Sequence, residues 1–273
     1  MAWMELLAVA IAAALGGWLG CRFGRRHFWW LATTLCAAVL VASFAGHRSI
    51  RLSFIPPISW IADARANPPV VALAATLLMS ILITHLPMRR TRTLTAGMAV
   101  AVVLYTCVWP LAMALGARRS LAAIHTTLNT YGVCLQSRTY TCGPASAVTC
   151  LYELGVKGDE GALAIESLCR PNIGIQPERL AAAITRLHAR DGIVAEYRWV
   201  ENLDNLPLPA VACMTTAGGH DIAVLQVEKD HVIIGDPARG LLRITRLNFM
   251  RGWTGAAIVL RTQPPAQFAG AAR

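Results

Sequence analysis

A cysteine at the start of a predicted helix is the residue of this sequence whose chemistry is most readily named. Cys142 precedes Gly143-Pro144 and a run of helix-forming residues, and proline is well tolerated in the first turn of a helix. The positive end of the helix macrodipole favours the thiolate, which is the nucleophilic form of cysteine. Cys142 is therefore a candidate nucleophile, although an isolated Cys-Gly-Pro more often marks a buried thiol.

Three other polar residues could complete a catalytic site around this thiol. His220 follows two glycines at the start of an apolar strand and could act as general base and acid. Asp236, just before a proline, could orient the imidazole. Gln136, six residues before Cys142, could donate its amide N–H to an oxyanion, together with the backbone N–H of Cys142.

Each of the three also has a simpler explanation when it is taken alone. His220 fits a turn histidine, Asp236 fits a plain turn residue, and Gln136 is unremarkable. Among the remaining histidines, His231 beside a predicted hairpin turn is the serious rival for the role of base. The joint order of the four residues along the chain therefore carries the prediction of a thiol-dependent catalytic site, and such chemistry requires no cofactor.

The C-terminal half of the chain must supply the elements that position these residues. Apolar periodicity predicts helices first and short antiparallel strands second, which is typical of an α+β domain with helices packed on one sheet. The predicted helices cover residues 145–154, 160–168 and 177–189, and the predicted strands cover residues 210–214, 221–227, 231–234, 241–245 and 256–260.

The N-terminal half consists of apolar runs. Each approaches or exceeds the ~20 residues that an α-helix needs to cross ~30 Å of hydrocarbon, and none has a charge near its centre, which argues against an ion path. We therefore predict four transmembrane helices, since buried helices of a soluble protein would show a polar stripe. The runs are 4–19, 28–44, 70–86 and 94–115, and the predicted organisation is a membrane region 1–117, a linker 118–132, a globular domain 133–262 and a flexible tail 263–273.

The net charge of +10 is concentrated in the loops between the apolar runs. Residues 1–116 contain nine arginines and two acids, whereas the remainder contains 16 Lys/Arg and 13 Asp/Glu. The globular part thus has no basic stripe, which argues against nucleic-acid binding. Six arginines lie in the first and third loops and five on the opposite side, so the positive-inside rule predicts that the globular domain faces out of the cytoplasm.

The cysteines give a weaker indication of compartment. No Cys-x-x-Cys pair occurs, which argues against a structural zinc site. Four cysteines remain in the globular part besides Cys142, and an even number would suit two disulfides outside the cytoplasm, although buried free thiols are as good an explanation. These four are Cys134, Cys150, Cys169 and Cys213.

In these motifs the chain resembles a known family, the bacteriocin-processing peptidases, which cleave double-glycine leaders and have a papain-like fold. The similarity covers about residues 133–260 and includes the family pattern of a glutamine, five residues and then Cys-Gly. Thr141 stands where the family often has aspartate. The matching motifs are Gln136…Cys142-Gly143-Pro144-Ala145, Gly174-Ile175-Gln176, Gly218-Gly219-His220-Asp221-Ile222-Ala223-Val224-Leu225, Asp236-Pro237-Ala238 and Phe249…Trp253-Thr254-Gly255.

The resemblance implies a papain-like cysteine peptidase domain that cleaves after paired glycines. It assigns the triad to Cys142, His220 and Asp236, and the oxyanion-hole amide to Gln136. Family members usually carry this domain ahead of an exporter membrane domain and an ATPase. Here the domain follows the apolar runs, and the chain contains no Gly-x-x-x-x-Gly-Lys-Ser/Thr loop for ATP. A separate membrane exporter is therefore the partner that the resemblance suggests.

Two functional hypotheses follow. The first is a membrane-anchored cysteine endopeptidase of the bacterial inner (plasma) membrane, with its peptidase domain outside the cytoplasm and a peptide or small protein as substrate. The second is a non-catalytic module that binds a peptide and docks it for a separate exporter. Retention of all four site residues favours the first, whereas a thiol-dependent transferase would use the same triad and differ only in its products.

Overall fold

The computed structural model describes residues 2–215 and 219–263, and the chain divides into two compact units, residues 1–115 and 116–273. Gly218, which belongs to the glycine pair before His220, and residues 264–273 of the expected tail lie outside the described residues. Each unit is built differently, the first from long apolar helices and the second from a sheet with helices on it.

The first unit contains four helical stretches that are long and apolar enough to cross a membrane, as the apolar runs predict. The fourth is continuous over residues 89–122 because a π-helical turn, Leu104–Val108, joins its two halves. The helices are α1 (Ala2–Phe23), α2 (Trp29–Arg48), α3 (Ile58–Ala62), α4 (Asn67–His85), α5 (Arg89–Val103) and α6 (Trp109–Ala122). The short α3 begins directly after Pro57, so the two prolines of this loop precede the helix and do not interrupt it.

Small residues let α1 pack closely against α4. A Cβ atom at Gly20 would lie 2.6 Å from both the carbonyl oxygen of Leu77 and the Cβ of Ser80. A Cβ at Gly16 would meet the carbonyl oxygen of Leu73 at 2.5 Å. Glycines four residues apart lie on one face of a helix, so this spacing allows the two backbones to approach, as it does between membrane helices in general.

The second unit contains a six-stranded antiparallel sheet with the order β3-β8-β4-β5-β6-β7. A separate two-stranded ladder joins β1 to β2. The strands are β1 (Thr127–Leu128), β2 (Cys134–Leu135), β3 (Ile193–Trp199), β4 (Ala210–Met214), β5 (His220–Val227), β6 (His231–Asp236), β7 (Gly240–Thr245) and β8 (Trp253–Thr262).

Helices cover one face of this sheet. α7 (Cys142–Glu153), α8 (Glu160–Glu166) and α9 (Pro177–Leu187) bury apolar side chains against β3, β4, β5 and β8. On the other face, Phe249 of the short helix α10 (Arg246–Gly252) packs with residues of the sheet and of the segment after β3. The α+β architecture and the antiparallel sheet agree with the prediction from periodicity.

The differences from the predicted elements have physical causes. β3 is absent from the prediction because Glu196 and Arg198 interrupt its apolar pattern, which an edge strand tolerates since one side remains open to water. β8 is longer than predicted because it pairs with two strands, β3 and β4. α7 begins at Cys142 rather than at residue 145, so the candidate nucleophile is itself the first helical residue.

Candidate active site

Cys142 occupies the first position of α7, where the N–H groups of the first turn have no partners within the helix. Thr141 precedes it, and its hydroxyl closes a tight turn by accepting from the N–H of Arg138 at 3.1 Å and donating to the Arg138 carbonyl at 3.0 Å. Because that hydroxyl is used locally, Thr141 does not cap the helix with its side chain. The free N–H groups of the first turn and the helix dipole therefore produce a positive electrostatic potential around Cys142.

Cys142 differs from the other four cysteines of the second unit in its exposure. Cys142 is half-buried, whereas the others are buried and all five are free thiols. The two disulfides considered for this part of the chain are therefore absent among these residues, all of which the structure describes. Burial raises the pKa of Cys134 and Cys169 to about 12, so these thiols stay protonated at neutral pH.

His220 and Asp236 come together because they occupy the same end of a hairpin. His220 is the first residue of β5 and Asp236 is the last residue of β6, and the two strands pair antiparallel. The imidazole Nε2 lies 3.0 Å from the Asp236 Oδ1, with side-chain exposures of 24% and 10%. The N–H of Ala238 donates to the same carboxylate oxygen at 2.9 Å and holds it in place.

The protonation of this pair is set by its neighbours. The hydrogen bond to Asp236, followed by the one to the Cys142 thiol, raises the pKa of His220 to about 10 against the opposing effect of burial. Burial acts to raise the pKa of Asp236, but hydrogen bonds from His220 and Ala238 outweigh it and lower that pKa below its ordinary value. The arrangement therefore favours an imidazolium between a carboxylate and a sulfur.

Gln136 follows β2 and lies next to the turn that follows Asp236. Its backbone N–H donates to the carbonyl oxygen of Pro237 at 2.9 Å. The side-chain Oε1 is buried and has no hydrogen-bond partner within the described part of the chain. Since a buried acceptor without a partner is costly, this oxygen is suited to accept a hydrogen bond from an N–H of a bound ligand.

His231, the rival for the role of base, lies at the other end of β6 from Asp236. The strand rises about 3.3 Å per residue, so its six residues separate the two by about 17 Å. His188 is buried directly after the end of α9, and its Nδ1 lies 3.0 Å from the Oδ2 of Asp191. His188 is thus occupied in a local structural pair.

Two carboxyl groups near the site carried no role in the sequence prediction. Asp221 follows His220 and points to the opposite face of β5, where its Oδ2 would lie 2.8 Å from a Cβ at Gly143. Burial raises the pKa of Asp221 to about 6. Glu160 is buried at the start of α8 and accepts two hydrogen bonds from Ser137, the residue after Gln136. The alternation of side chains along the predicted strand indicates that Asp221 faces the helices, opposite to His220. No local sequence signal indicates that Glu160 lies near the site.

Comparison with known proteins places the second unit in a recognised group. Residues 130–265 match the model of the Peptidase C39 family. An uncharacterized protein of Methanothermobacter thermautotrophicus is 31% identical over 137 residues, which cover 50% of this chain and 92% of that protein. An uncharacterized protein of Methanothermobacter marburgensis is 32% identical over 129 residues, covering 47% of this chain and 87% of that protein.

Solved structures of similar fold include two peptidase domains. The peptidase domain of Streptococcus ComA, a bi-functional ABC transporter, is 23% identical with a TM-score of 0.42, covering 47% of this chain and 96% of that domain. A double glycine motif protease from an AMS/PCAT transporter, solved with its leader peptide, is 18% identical with a TM-score of 0.42, covering 51% and 93%. Through the match over residues 130–265, the chain belongs to the Peptidase C39 family.

Proposed function

We propose that the second unit is a cysteine endopeptidase that hydrolyses a peptide bond in a peptide or small protein. The proposal is carried by the hydrogen bond between His220 and Asp236 at 3.0 Å, together with the half-buried Cys142 at the start of α7, which acts on the pKa of His220. A half-buried thiol beside an imidazolium is the arrangement that activates cysteine as a nucleophile. The peptidase domain corresponds to residues 133–262 in this proposal, and the membrane anchor to residues 1–117.

The proposed reaction has two steps. The Cys142 thiolate attacks the carbonyl carbon, the C–N bond breaks, and the His220 imidazolium gives its proton to the leaving amine, which leaves a thioester. Water then attacks the thioester, and its proton passes to His220, so that the acid product and the thiolate are released. Asp236 keeps the imidazole oriented throughout.

Charge also develops on the carbonyl oxygen in both steps. Donors fixed before the reaction stabilise this oxyanion without reorganising. The backbone N–H of Cys142 and the side-chain amide of Gln136 take this role in the proposal, supported by the tether between Gln136 and Pro237. Because the motifs resemble those of double-glycine peptidases, we propose that cleavage occurs after paired glycines. The proposed partner is a separate exporter that receives the product.

The test is a comparison of Cys142→Ala with Cys21→Ala, a change outside the second unit. Peptides containing paired glycines are incubated with each purified full chain, and products are identified by mass spectrometry. We expect Cys142→Ala to lose at least about 10³-fold in kcat and Cys21→Ala to behave as wild type. Iodoacetamide should label Cys142 before the four buried cysteines of the same unit.

The results separate the proposal from the peptide-docking hypothesis. Full cleavage by Cys142→Ala would contradict a thiol mechanism. A wild-type chain that binds these peptides, cleaves none of them and is not alkylated at Cys142 would instead support docking without catalysis. New amide or ester products in place of hydrolysis products would indicate a transferase.

A further inference from the structure

Glu160 is a buried carboxylate that the proposed reaction does not use. Its residue exposure is 0%, lower than the 7% of Asp236. No ion pair between described residues involves Glu160. Burying a carboxylate is strongly unfavourable unless hydrogen bonds compensate it, so the groups that bond to Glu160 indicate what it does.

Both side-chain oxygens of Glu160 bind the same residue. Oε1 accepts from the backbone N–H of Ser137 at 2.9 Å, and Oε2 accepts from the Ser137 hydroxyl at 2.7 Å. Bonds to an ionised acceptor are shorter and stronger than neutral ones, and two of them fix both position and direction. Ser137 is therefore held rigidly against the start of α8.

Glu160 is itself fixed by its backbone. Its N–H donates to the hydroxyl of Thr126 at 2.8 Å, and Asp159 caps α8 by accepting from the N–H of Ala162. The carboxylate therefore projects from an anchored helix end rather than from a loose loop. A residue that is hydrogen-bonded to this carboxylate is therefore held in a fixed position.

Ser137 directly follows Gln136, whose own N–H is bonded to the Pro237 carbonyl. The backbone at Gln136 is thus restrained by two contacts. Its own N–H is bonded to the turn after Asp236, and the next residue, Ser137, is bonded to Glu160. We infer that Glu160 is a positioning residue that holds the Gln136 amide in place for the oxyanion. This inference rests on the proposed peptidase function and adds a residue that takes no direct part in the proposed reaction.

The variants separate charge from hydrogen bonding. Glu160→Ala leaves the Ser137 N–H without its acceptor, whereas Glu160→Gln keeps an acceptor for that N–H and supplies an amide donor to the hydroxyl. Loss of one oxyanion donor costs about 10²–10³ in kcat, so a displaced Gln136 should cost about 10-fold or more. We expect Glu160→Ala to lower kcat by that amount with KM nearly unchanged, and Glu160→Gln to restore most of it.

Glu166→Ala is the matched control, because Glu166 lies on the same helix but makes a partly exposed ion pair with Arg186 at 2.9 Å. We expect wild-type kcat from this variant. The rate of Cys142 alkylation should also be unchanged in Glu160→Ala, since the His220 pair is untouched. A slowed alkylation would show that the surroundings of Cys142 and His220 have also changed and would contradict a role limited to Gln136.

A double-mutant cycle decides whether Glu160 acts through Gln136. If it does, Glu160→Ala should lower kcat little further in a Gln136→Ala background, since the group it positions is gone. Independent, multiplicative losses would overturn the inference. A wild-type chain without turnover would contradict the proposed function itself and the inference with it, whereas active wild type with unaffected Glu160→Ala would contradict the inference alone.

Discussion

His220 is hydrogen-bonded to the Asp236 carboxylate, and both this carboxylate and the Cys142 sulfur raise its pKa and so favour its charged form. The pKa of about 10 keeps the imidazolium protonated across the neutral range, where it can serve as the acid for the leaving amine. Because this pKa is raised from 6.5, the pair stabilises the folded state fully below about pH 6.5. That contribution is lost as the pH rises through about 10.

Asp236→Asn should move the basic limb of the activity profile to lower pH. The amide can still accept a hydrogen bond but carries no charge, so the pKa of His220 falls and its proton is lost earlier. We expect kcat/KM of wild type to decline near pH 10 and that of Asp236→Asn to decline at lower pH, as measured by peptide cleavage between pH 6 and 11.

The control for this experiment is Asp191→Asn, which alters the second His–Asp pair of the unit at His188. That pair lies at the end of α9, so its loss should leave the profile unchanged. An Asp236→Asn variant with the basic limb of wild type would contradict the role given to the carboxylate.

At the scale of elements, the contact between α1 and α4 gives a sharp test of packing. Gly20→Ala would place a Cβ 2.6 Å from the Leu77 carbonyl, which requires the helices to separate. Overpacking costs about 1–3 kcal/mol, so we expect a lower thermal unfolding temperature for the full chain in detergent.

Gly17→Ala is the matched control on the same helix. A Cβ there would meet only the Ser80 hydroxyl oxygen at 3.8 Å, an ordinary contact. Both substitutions gain the same helix propensity of about 1 kcal/mol, so the difference between the two variants isolates the packing cost. Equal stability of Gly17→Ala and Gly20→Ala would contradict the close contact.

The sequence predicted more of the elements than of the contacts between them. Cys142, His220 and Asp236 can be proposed from the sequence because each stands at the end of a strongly patterned helix or strand, and the structure brings His220 and Asp236 within 3.0 Å of each other. Glu160 was not, because a glutamate in the first turn of a helix is ordinary and its partner Ser137 is 23 residues away. β3 was missed because its charges are tolerated only at the edge that tertiary pairing gives it.

At the scale of the whole molecule, the arginine-rich loops predict which side of the membrane each part faces. Six arginines lie in or beside the connections from α1 to α2 and from α4 to α5, at the end of α1, in the loop that follows it and in the first turn of α5. These two connections should lie in the cytoplasm. A phosphatase reporter that works only outside the cytoplasm should be active when fused after Arg273 and inactive when inserted after Arg90. The reverse pattern, with a cytoplasm-only reporter active after Arg273, would overturn this orientation.

The position of β8 has a consequence for the newly made protein. β8 is the last strand within the described residues, yet it lies between β3 and β4 in the sheet. A chain still leaving the ribosome therefore carries Cys142, His220 and Asp236 before β8 can join β3 to the other strands. If these residues form the catalytic site, the sheet around that site is complete only after the sequence has been synthesised through residue 262.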